Sequence, residues 1–110
     1  ITGPFTVVDS TFATPLGQQP LAHGIDLVIH SATKGIAGHN DATIGVVTGE
    51  RELIDAIWNY GVLHGAMASP FDALNALRGI RTLGVRTRQQ NASARSTARS
   101  QPSPAAPSAA

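Results

Sequence analysis

Three short runs of apolar and β-branched residues stand in the first half of the chain, at residues 5–8, 25–29 and 42–48. Runs of this length, bounded by polar or glycine-bearing clusters, are typical of buried β-strands. Because the runs are nearly continuous rather than alternating, we expect a sheet covered on both faces. Sheets of this kind bind ligands at the carboxyl ends of their strands.

Helical spacing replaces these runs in the second half of the chain. Leu53 and Ile57 lie four residues apart on one face of a helix expected over about residues 50–59. A serine–proline pair at residues 69–70, with Asp72 three residues after the serine, predicts the capped start of a second helix. Strands followed by helices predict an α/β protein.

Proline and glycine mark the connections between these elements. Residues 14–17 are predicted to form a loop, and residues 20–24 a single helical turn with proline first and glycine after its end. The stretch 35–41 is predicted to be a glycine-bearing loop, and a further helical segment is expected from about Thr82 into the nineties.

The end of the chain differs in composition. From Ser93 onward it contains no large apolar residue, so it cannot bury enough surface to offset the entropy of ordering. We therefore predict one partial domain over residues 1–96 and a disordered Pro/Ser/Ala-rich tail over residues 97–110.

Composition excludes several classes of protein. The 110 residues suffice for one small domain, and their charged fraction of 14% lies below the usual ~25%, so a larger parent chain or a partner is expected to cover part of the surface. The absence of cysteine excludes disulfides and thiolate chemistry. The first residues lack a methionine and a secretory signal, and no apolar run approaches the ~18 residues of a membrane span. We expect a cytoplasmic protein whose natural start lies upstream.

Polar side chains follow two of the predicted strands. Asp9 ends the first, and Ser31, Thr33 and Lys34 follow the second, so one sheet edge is expected to hold them all. Pyridoxal phosphate (PLP) needs an amine, a carboxylate beside its ring nitrogen and hydroxyls at its phosphate. Lys34 is the only lysine, so no other side chain competes as that amine. On spacing alone three alternatives stay open: a solvated lysine, a turn-forming aspartate and hydroxyls that cap a helix.

Several motifs resemble one enzyme family. The chain is similar, over about residues 5–92, to the cofactor segment of the Cys/Met-metabolism PLP enzymes, which include cystathionine γ-synthases, cystathionine lyases, methionine γ-lyases and O-acyl-homoserine sulfhydrylases. The motifs that carry the resemblance are residues 8–15, 20–34 and 38–41, and a later signature at residues 78–83 with Arg86 and residues 91–92.

The resemblance implies a partial fold-type I, aspartate-aminotransferase-like large domain. By motif position, Lys34 is implied to be the Schiff-base lysine and Asp9 the partner of the pyridine nitrogen. Thr11 is implied to lie near the ring, and Ser31 and Thr33 at the phosphate. The implied parent is a lyase or transferase of transsulfuration type, a dimer of dimers that acts on small amino-acid substrates by β- or γ-elimination or by γ-replacement.

Two departures limit the resemblance. Ser10 stands where the family commonly has asparagine. The family's upstream cofactor loop, its Tyr/Arg phosphate contacts and its C-terminal substrate domain have no counterpart in the printed sequence. We therefore expect the 110 residues alone to be inactive, and the alternative to an enzyme is a truncated, non-catalytic remnant of the family.

Two other binding functions are weaker interpretations. His30, His39 and Asp41 are ordinary ligand types but match no established metal motif, so no metal is expected. The C-terminal arginines lack interleaved aromatic residues, and the net charge is only +1, so neither nucleic acid nor membrane is expected as a partner. A solvated helix face or a subunit contact is the preferred interpretation of these arginines.

Overall fold

The computed structural model describes residues 3–100 of the chain. The three strands are β1 (Val7–Asp9), β2 (Leu27–Ser31) and β3 (Gly45–Gly49). The α-helices are α1 (Thr14–Gly17), α2 (Arg51–Leu63), α3 (Pro70–Ile80) and α4 (Leu83–Ser100), and a 3-10 turn spans Pro20–His23. The predicted strands, the helices of the second half and the helical turn are therefore confirmed, with bounds that differ by a few residues.

The strands form one sheet with β2 in the centre. β1 pairs with β2 in parallel, with Asp9 opposite Ile29, whereas β3 pairs with β2 antiparallel, with Gly45 opposite Ser31. Because β1 and β2 are parallel, their carboxyl ends meet at one edge of the sheet. This edge carries Asp9 and Ser31, as the strand pattern predicted.

The two faces of the sheet are covered unequally, so the expectation that both are covered is wrong for this chain. On one face Val28 is 2% exposed and His30 7% exposed, while on the other Ile29 and Val47 are 36% and 38% exposed. Apolar residues lie on both faces, but on the second face residues 3–100 bury only Leu27, which is 9% exposed, and leave Ile29 and Val47 largely uncovered.

The core surrounds β2 and the turn that follows it. Ala32 and Ala37 are fully buried, and Ile36 is 6% exposed. The remaining buried apolar side chains come from β2, the loop before β3 and the three longer helices: Leu27, Val28, Ala42, Leu53, Ala76 and Leu83. The segment after β2 is thus the most deeply packed loop that the structure describes.

Helix α3 begins at the predicted capping sequence. The hydroxyl of Ser69 accepts the N–H of Asp72 at 3.1 Å and donates to its carboxylate at 2.7 Å. The same carboxylate accepts the N–H of Thr43 at 2.9 Å, which attaches the start of α3 to the segment before β3. The hydroxyl of Ser69 and the N–H of Thr43 lower the pKa of Asp72 below its ordinary value.

The prediction of a loop at residues 14–17 is wrong, because these residues form the short helix α1. Pro15 has its φ preset for a first helical turn, and the N–H of Gly17 reaches the carbonyl of Ala13 at 3.1 Å. The predicted turn at Pro20–His23 ends, as expected, at a left-handed Gly24 with φ of 82°.

Helix α4 continues farther than predicted. Residues 97–100 are helical, and the rest of the predicted tail lies outside the described residues, so the disordered tail over residues 97–110 stays a prediction. Local contacts account for the extension: the hydroxyl of Thr97 donates to the carbonyl of Ser93 at 3.1 Å, and alanine and arginine are good helix formers. No helix within the described part of the chain is long and apolar enough to cross a membrane.

Candidate cofactor site

Asp9 ends β1 at the sheet edge with its carboxylate exposed. One carboxylate oxygen accepts the N–H of Thr11 at 2.9 Å. The hydroxyl of Thr11, then its backbone N–H, and more weakly the charge of His30 lower the pKa of Asp9, and burial opposes them. The carboxylate therefore stays ionised at neutral pH, as a partner for a positively charged group must.

Thr11 connects the ends of the two parallel strands. Its hydroxyl oxygen accepts the backbone N–H of Ser31 at 2.8 Å, and the neighbouring N–H of Ser10 donates to the carbonyl of Ile29 at 3.0 Å. Thr11 is only 7% exposed. These bonds hold the ends of β1 and β2 together, so Thr11 has a structural role at the edge in addition to any contact with a cofactor.

Lys34 lies within the turn that follows β2, and residues 34–38 are called the Lys34 loop below. The N–H of Lys34 donates to the carbonyl of Ser31 at 3.0 Å, and its carbonyl accepts the N–H of Gly38 at 2.8 Å. Residues 32–37 form turns and not a helix, so the alternative in which Ser31 and Thr33 cap a helix is wrong. The side chain of Lys34 is exposed.

The hydroxyls of Ser31 and Thr33 differ in their hydrogen-bond partners. The Oγ1 of Thr33 accepts the N–H of Ile44 at 3.0 Å, which joins the end of β2 to the chain entering β3. Within residues 3–100, the hydroxyl of Ser31 has no hydrogen-bond partner. Ser31 is therefore the freer of the two to bind an added phosphate.

A shallow concavity of about 460 Å³ lies against this edge of the sheet. It brings together three of the residues predicted for the site, and its lining is Asp9, Ile29, His30, Ser31, Thr33, Thr43, Ile44, Gly45, Val46 and Val47. Lys34 follows the lining residue Thr33 in the chain but is not itself among the lining residues.

Sequence reasoning missed the contribution of β3 to this concavity. Thr43, Ile44 and Val47 form one wall of it. The signal was weak, because a third strand can pair with either edge of a parallel pair. Only the antiparallel register of β3 on β2 places two lining residues of β3, Gly45 and Val47, opposite Ser31 and Ile29.

Several residues behind the metal and nucleic-acid interpretations make contacts within the described chain. Among residues 3–100, no group of three or more His, Asp or Glu side chains is arranged to hold a metal ion. The Nδ1 of His39 lies 2.7 Å from the carbonyl of Ala37, and His30 is 7% exposed. Of the C-terminal arginines, Arg86 is engaged with main-chain carbonyls rather than lying on a solvated face.

The fold of this chain matches solved structures of one class of enzyme. Cystathionine gamma synthase from Xanthomonas oryzae pv. oryzae, in complex with aminoacrylate and cysteine, matches with a TM-score of 0.77 and 46% identity over 84% of this chain and 24% of that chain. Cystathionine gamma-lyase from yeast matches with a TM-score of 0.71 and 43% identity over 74% of this chain and 21% of that chain. The chain has part of the fold-type I PLP-enzyme architecture, which confirms the predicted fold class.

The chain belongs to the Cys/Met metabolism PLP-dependent enzyme family, whose model matches residues 2–101. It is 49% identical over 86 residues to L-methionine gamma-lyase from Pseudomonas putida, which covers 76% of the chain and 22% of the relative. It is 46% identical over 92 residues to the chloroplastic cystathionine gamma-synthase 1 of Arabidopsis thaliana, which covers 84% of the chain and 16% of the relative. The chain therefore spans about a fifth of these relatives, and its family uses PLP as cofactor.

Proposed function

We propose that this chain is the cofactor-attachment segment of a PLP-dependent lyase or transferase of sulfur amino-acid metabolism. One observation carries the proposal: Asp9 and Ser31 end neighbouring parallel strands at a single sheet edge, and Lys34 lies in the turn that follows Ser31. The family membership of the chain supports the same conclusion. The particular roles of the side chains rest on their positions in the fold and on their chemistry.

The residues at the edge fit the chemistry that PLP requires of a protein. The phosphate of PLP needs hydrogen-bond donors, and the hydroxyl of Ser31 is available there. Its pyridine nitrogen needs an ionised carboxylate, and the lowered pKa of Asp9 provides one. Its aldehyde needs an amine, and Lys34 is the only lysine of the chain.

The proposed roles follow from these groups. Bound PLP supplies an electron sink for negative charge that develops at the substrate's Cα. Asp9 holds a proton on the pyridine nitrogen through charge and hydrogen bonding. The Nζ of Lys34 would hold the cofactor, and as a free amine it would take a proton from Cα and return protons to the reacting atoms. Thr11 keeps Asp9 oriented, and Ser31 with Thr33 binds the phosphate.

The type of reaction and its substrate are part of the same proposal. The relatives are named for γ-synthase, γ-lyase and methionine γ-lyase activities, so we propose β- or γ-elimination or γ-replacement on cystathionine, methionine or an O-acyl-homoserine. Assembly as a dimer of dimers and a cytoplasmic location belong to the same proposal. Turnover is assigned to a complete enzyme, and we expect the 110 residues by themselves to attach the cofactor without turning over substrate.

Attachment is tested by titrating the purified chain with PLP and recording absorbance near the blue edge of the visible range. We expect a band that borohydride abolishes and that is absent in Lys34→Ala. Asp9→Asn is the second variant, since it keeps the size of the side chain and removes its charge. We expect it to retain attachment but to shift the pH at which the band changes, because the pyridine nitrogen loses its anionic partner.

The non-catalytic alternative has its own signature in this experiment. A chain that does not hold PLP shows the same absorbance in the parent sequence and in Lys34→Ala, because only the α-amino group then reacts. A matched control is Arg51→Ala, which removes an exposed cation at the start of α2, away from the edge. That variant should behave like the parent.

A further inference from the structure

Buried side chains and main-chain hydrogen bonds anchor the Lys34 loop to the core. Ile36 is 6% exposed, Ala37 is fully buried, and the N–H of Ala37 donates to the carbonyl of Ala32 at 2.8 Å. The carbonyls of Gly35 and Ile36 take no part in a helix or a strand. Part-buried main-chain carbonyls need hydrogen-bond donors, so these two carbonyls must be satisfied by another part of the chain.

Arg86, on α4, supplies these donors. Its guanidinium donates to the carbonyl of Gly35 at 2.8 Å, to that of Ile36 at 3.0 Å and to that of Gly79 at 2.7 Å. Its Nε also donates to the hydroxyl of Thr82 at 3.0 Å. One side chain therefore joins the Lys34 loop to the end of α3 and the junction before α4.

Two glycines make this contact possible. A Cβ on Gly38 would overlap the guanidinium of Arg86, and a Cβ on Gly79 would overlap the main chain of Ala37. Gly38 also has a φ of 75°, which other residues seldom adopt. The loop and α3 thus approach each other more closely than side chains would permit, and the guanidinium fills the space beside them.

We propose that Arg86 is a positioning residue that fixes the turn from which Lys34 projects. The inference rests on the proposed function, because the position of the Lys34 main chain matters for chemistry only if Nζ attaches the cofactor. A guanidinium is suited to the role, since its planar fork donates in several directions at once, whereas the ammonium of lysine is a compact charge. Arg86 acts through the loop and is not itself assigned a contact with cofactor or substrate.

Arg86→Gln tests the position of Lys34 directly through amide hydrogen exchange of the full chain without cofactor. We expect exchange at Lys34, Ala37 and Gly38 to accelerate roughly tenfold or more, because their turn loses charge-assisted hydrogen bonds. Amides of the sheet pairing, such as those of Leu27 and Ser10, should change much less.

Arg88→Gln is the matched control. Arg88 is on the same helix and exposed, so its removal changes the net charge equally without touching the loop. It should leave every one of these exchange rates unchanged. Arg86→Lys should fall between the parent and Arg86→Gln, because an ammonium keeps the charge and cannot match the fork.

The second readout is the rate at which borohydride traps PLP on Lys34. We expect Arg86→Gln to slow trapping and Arg88→Gln to leave it unchanged. If Arg86→Gln proves unfolded, Gly38→Ala displaces the guanidinium instead. Gly65→Ala is then its control, since Gly65 has a similar φ of 72° and open space around it.

The outcomes separate the two proposals. Equal acceleration of exchange in the loop and the sheet, or unchanged trapping in Arg86→Gln, overturns the positioning role. Absence of Lys34-specific trapping in the parent chain overturns the proposed function itself. Local acceleration of exchange then still shows that Arg86 orders the loop but gives that order no catalytic purpose.

Discussion

The Lys34 loop and the last turns of α4 are both rich in small residues, yet they reach order in opposite ways. In the loop Ala37 is fully buried and Ile36 is 6% exposed, with contacts from α3 and α4 on the main chain. In α4 every residue from 88 to 100 is exposed, and the hydrogen bonds there are local.

The difference shows what small residues can do in each setting. Where glycine and alanine lie against another segment of main chain, they permit contacts that no larger residue allows. The ordered conformation of such a segment then depends on residues that are distant in the sequence. Where glycine and alanine lie on an exposed helix, they contribute only their intrinsic propensity. Substitutions should therefore have large, non-local effects in the first region and small, local effects in the second.

The largest expected effect is that of Gly79→Ala. The added methyl meets the main chain of Ala37, which cannot move aside as a side chain would, so we expect the free energy of unfolding to fall by about 3 kcal/mol. Urea unfolding followed by circular dichroism measures this loss.

Gly61→Ala, inside α2, is the matched control. Its nearest neighbour lies at 3.8 Å, which is ordinary contact, so the change should be neutral or stabilising by up to ~1 kcal/mol. Equal effects of the two substitutions would contradict the close approach of α3 to the loop.

The second effect is that of Gly38→Ala compared with Gly65→Ala. Both changes impose a strained positive φ at a cost of roughly 1–2 kcal/mol, but only the first displaces Arg86. We expect Gly38→Ala to lower the unfolding midpoint in urea more than Gly65→Ala does. Indistinguishable midpoints would show that strain alone accounts for the glycine at position 38.

Acid should destabilise the sheet region and not the end of α4. The carboxylate of Asp26 accepts the N–H and the hydroxyl of Thr6 at 2.8 and 2.6 Å, and these bonds lower its pKa below 3.8. A carboxyl whose pKa is lower in the folded state stabilises the fold above its unfolded pKa and loses that contribution as pH falls through the folded value. Residues 88–100 contain no carboxylate side chain.

Asp26→Asn measures this contribution. Unfolding midpoints in urea, recorded from neutral pH to below pH ~3.8, should fall less steeply for the variant than for the parent chain. Asp55→Asn, on the exposed surface of α2, is the control and should follow the parent. Parallel pH profiles for Asp26→Asn and the parent would remove Asp26 as a source of acid sensitivity.

The smallest effect is expected from Ala94→Gly in α4. Glycine costs up to ~1 kcal/mol of helix propensity at that position, but the cost is local because nothing packs on residue 94 within the described chain. We expect faster hydrogen exchange around residue 94 and an unchanged unfolding midpoint for the sheet. A shift of the whole transition would show that the end of α4 is coupled to the core.

The sequence predicted those features that depend on neighbours in the chain. The apolar runs located all three strands, and the Ser69 cap located the start of α3. Asp9 and Ser31 were expected at one edge because parallel strands share a carboxyl end.

Features that depend on distant contacts were not predictable in this way. Arg86 reaches Gly35 and Ile36 across some fifty residues, and although it belongs to the later signature of the resemblance, nothing in its neighbours along the chain shows which carbonyls it contacts. The part of the concavity that β3 lines could not be predicted, because the sequence does not show which edge of the parallel pair β3 joins. The open sheet face was missed because an apolar run does not reveal what covers it.

We propose Lys34 as the residue through which this chain holds PLP. The most direct measurement is peptide mapping by mass spectrometry after incubation with PLP and reduction with borohydride. We expect a phosphopyridoxyl group on the peptide that contains Lys34, at substoichiometric PLP and in preference to the α-amino group of the first residue. Labelling of the α-amino group alone, with Lys34 unmodified, would contradict it.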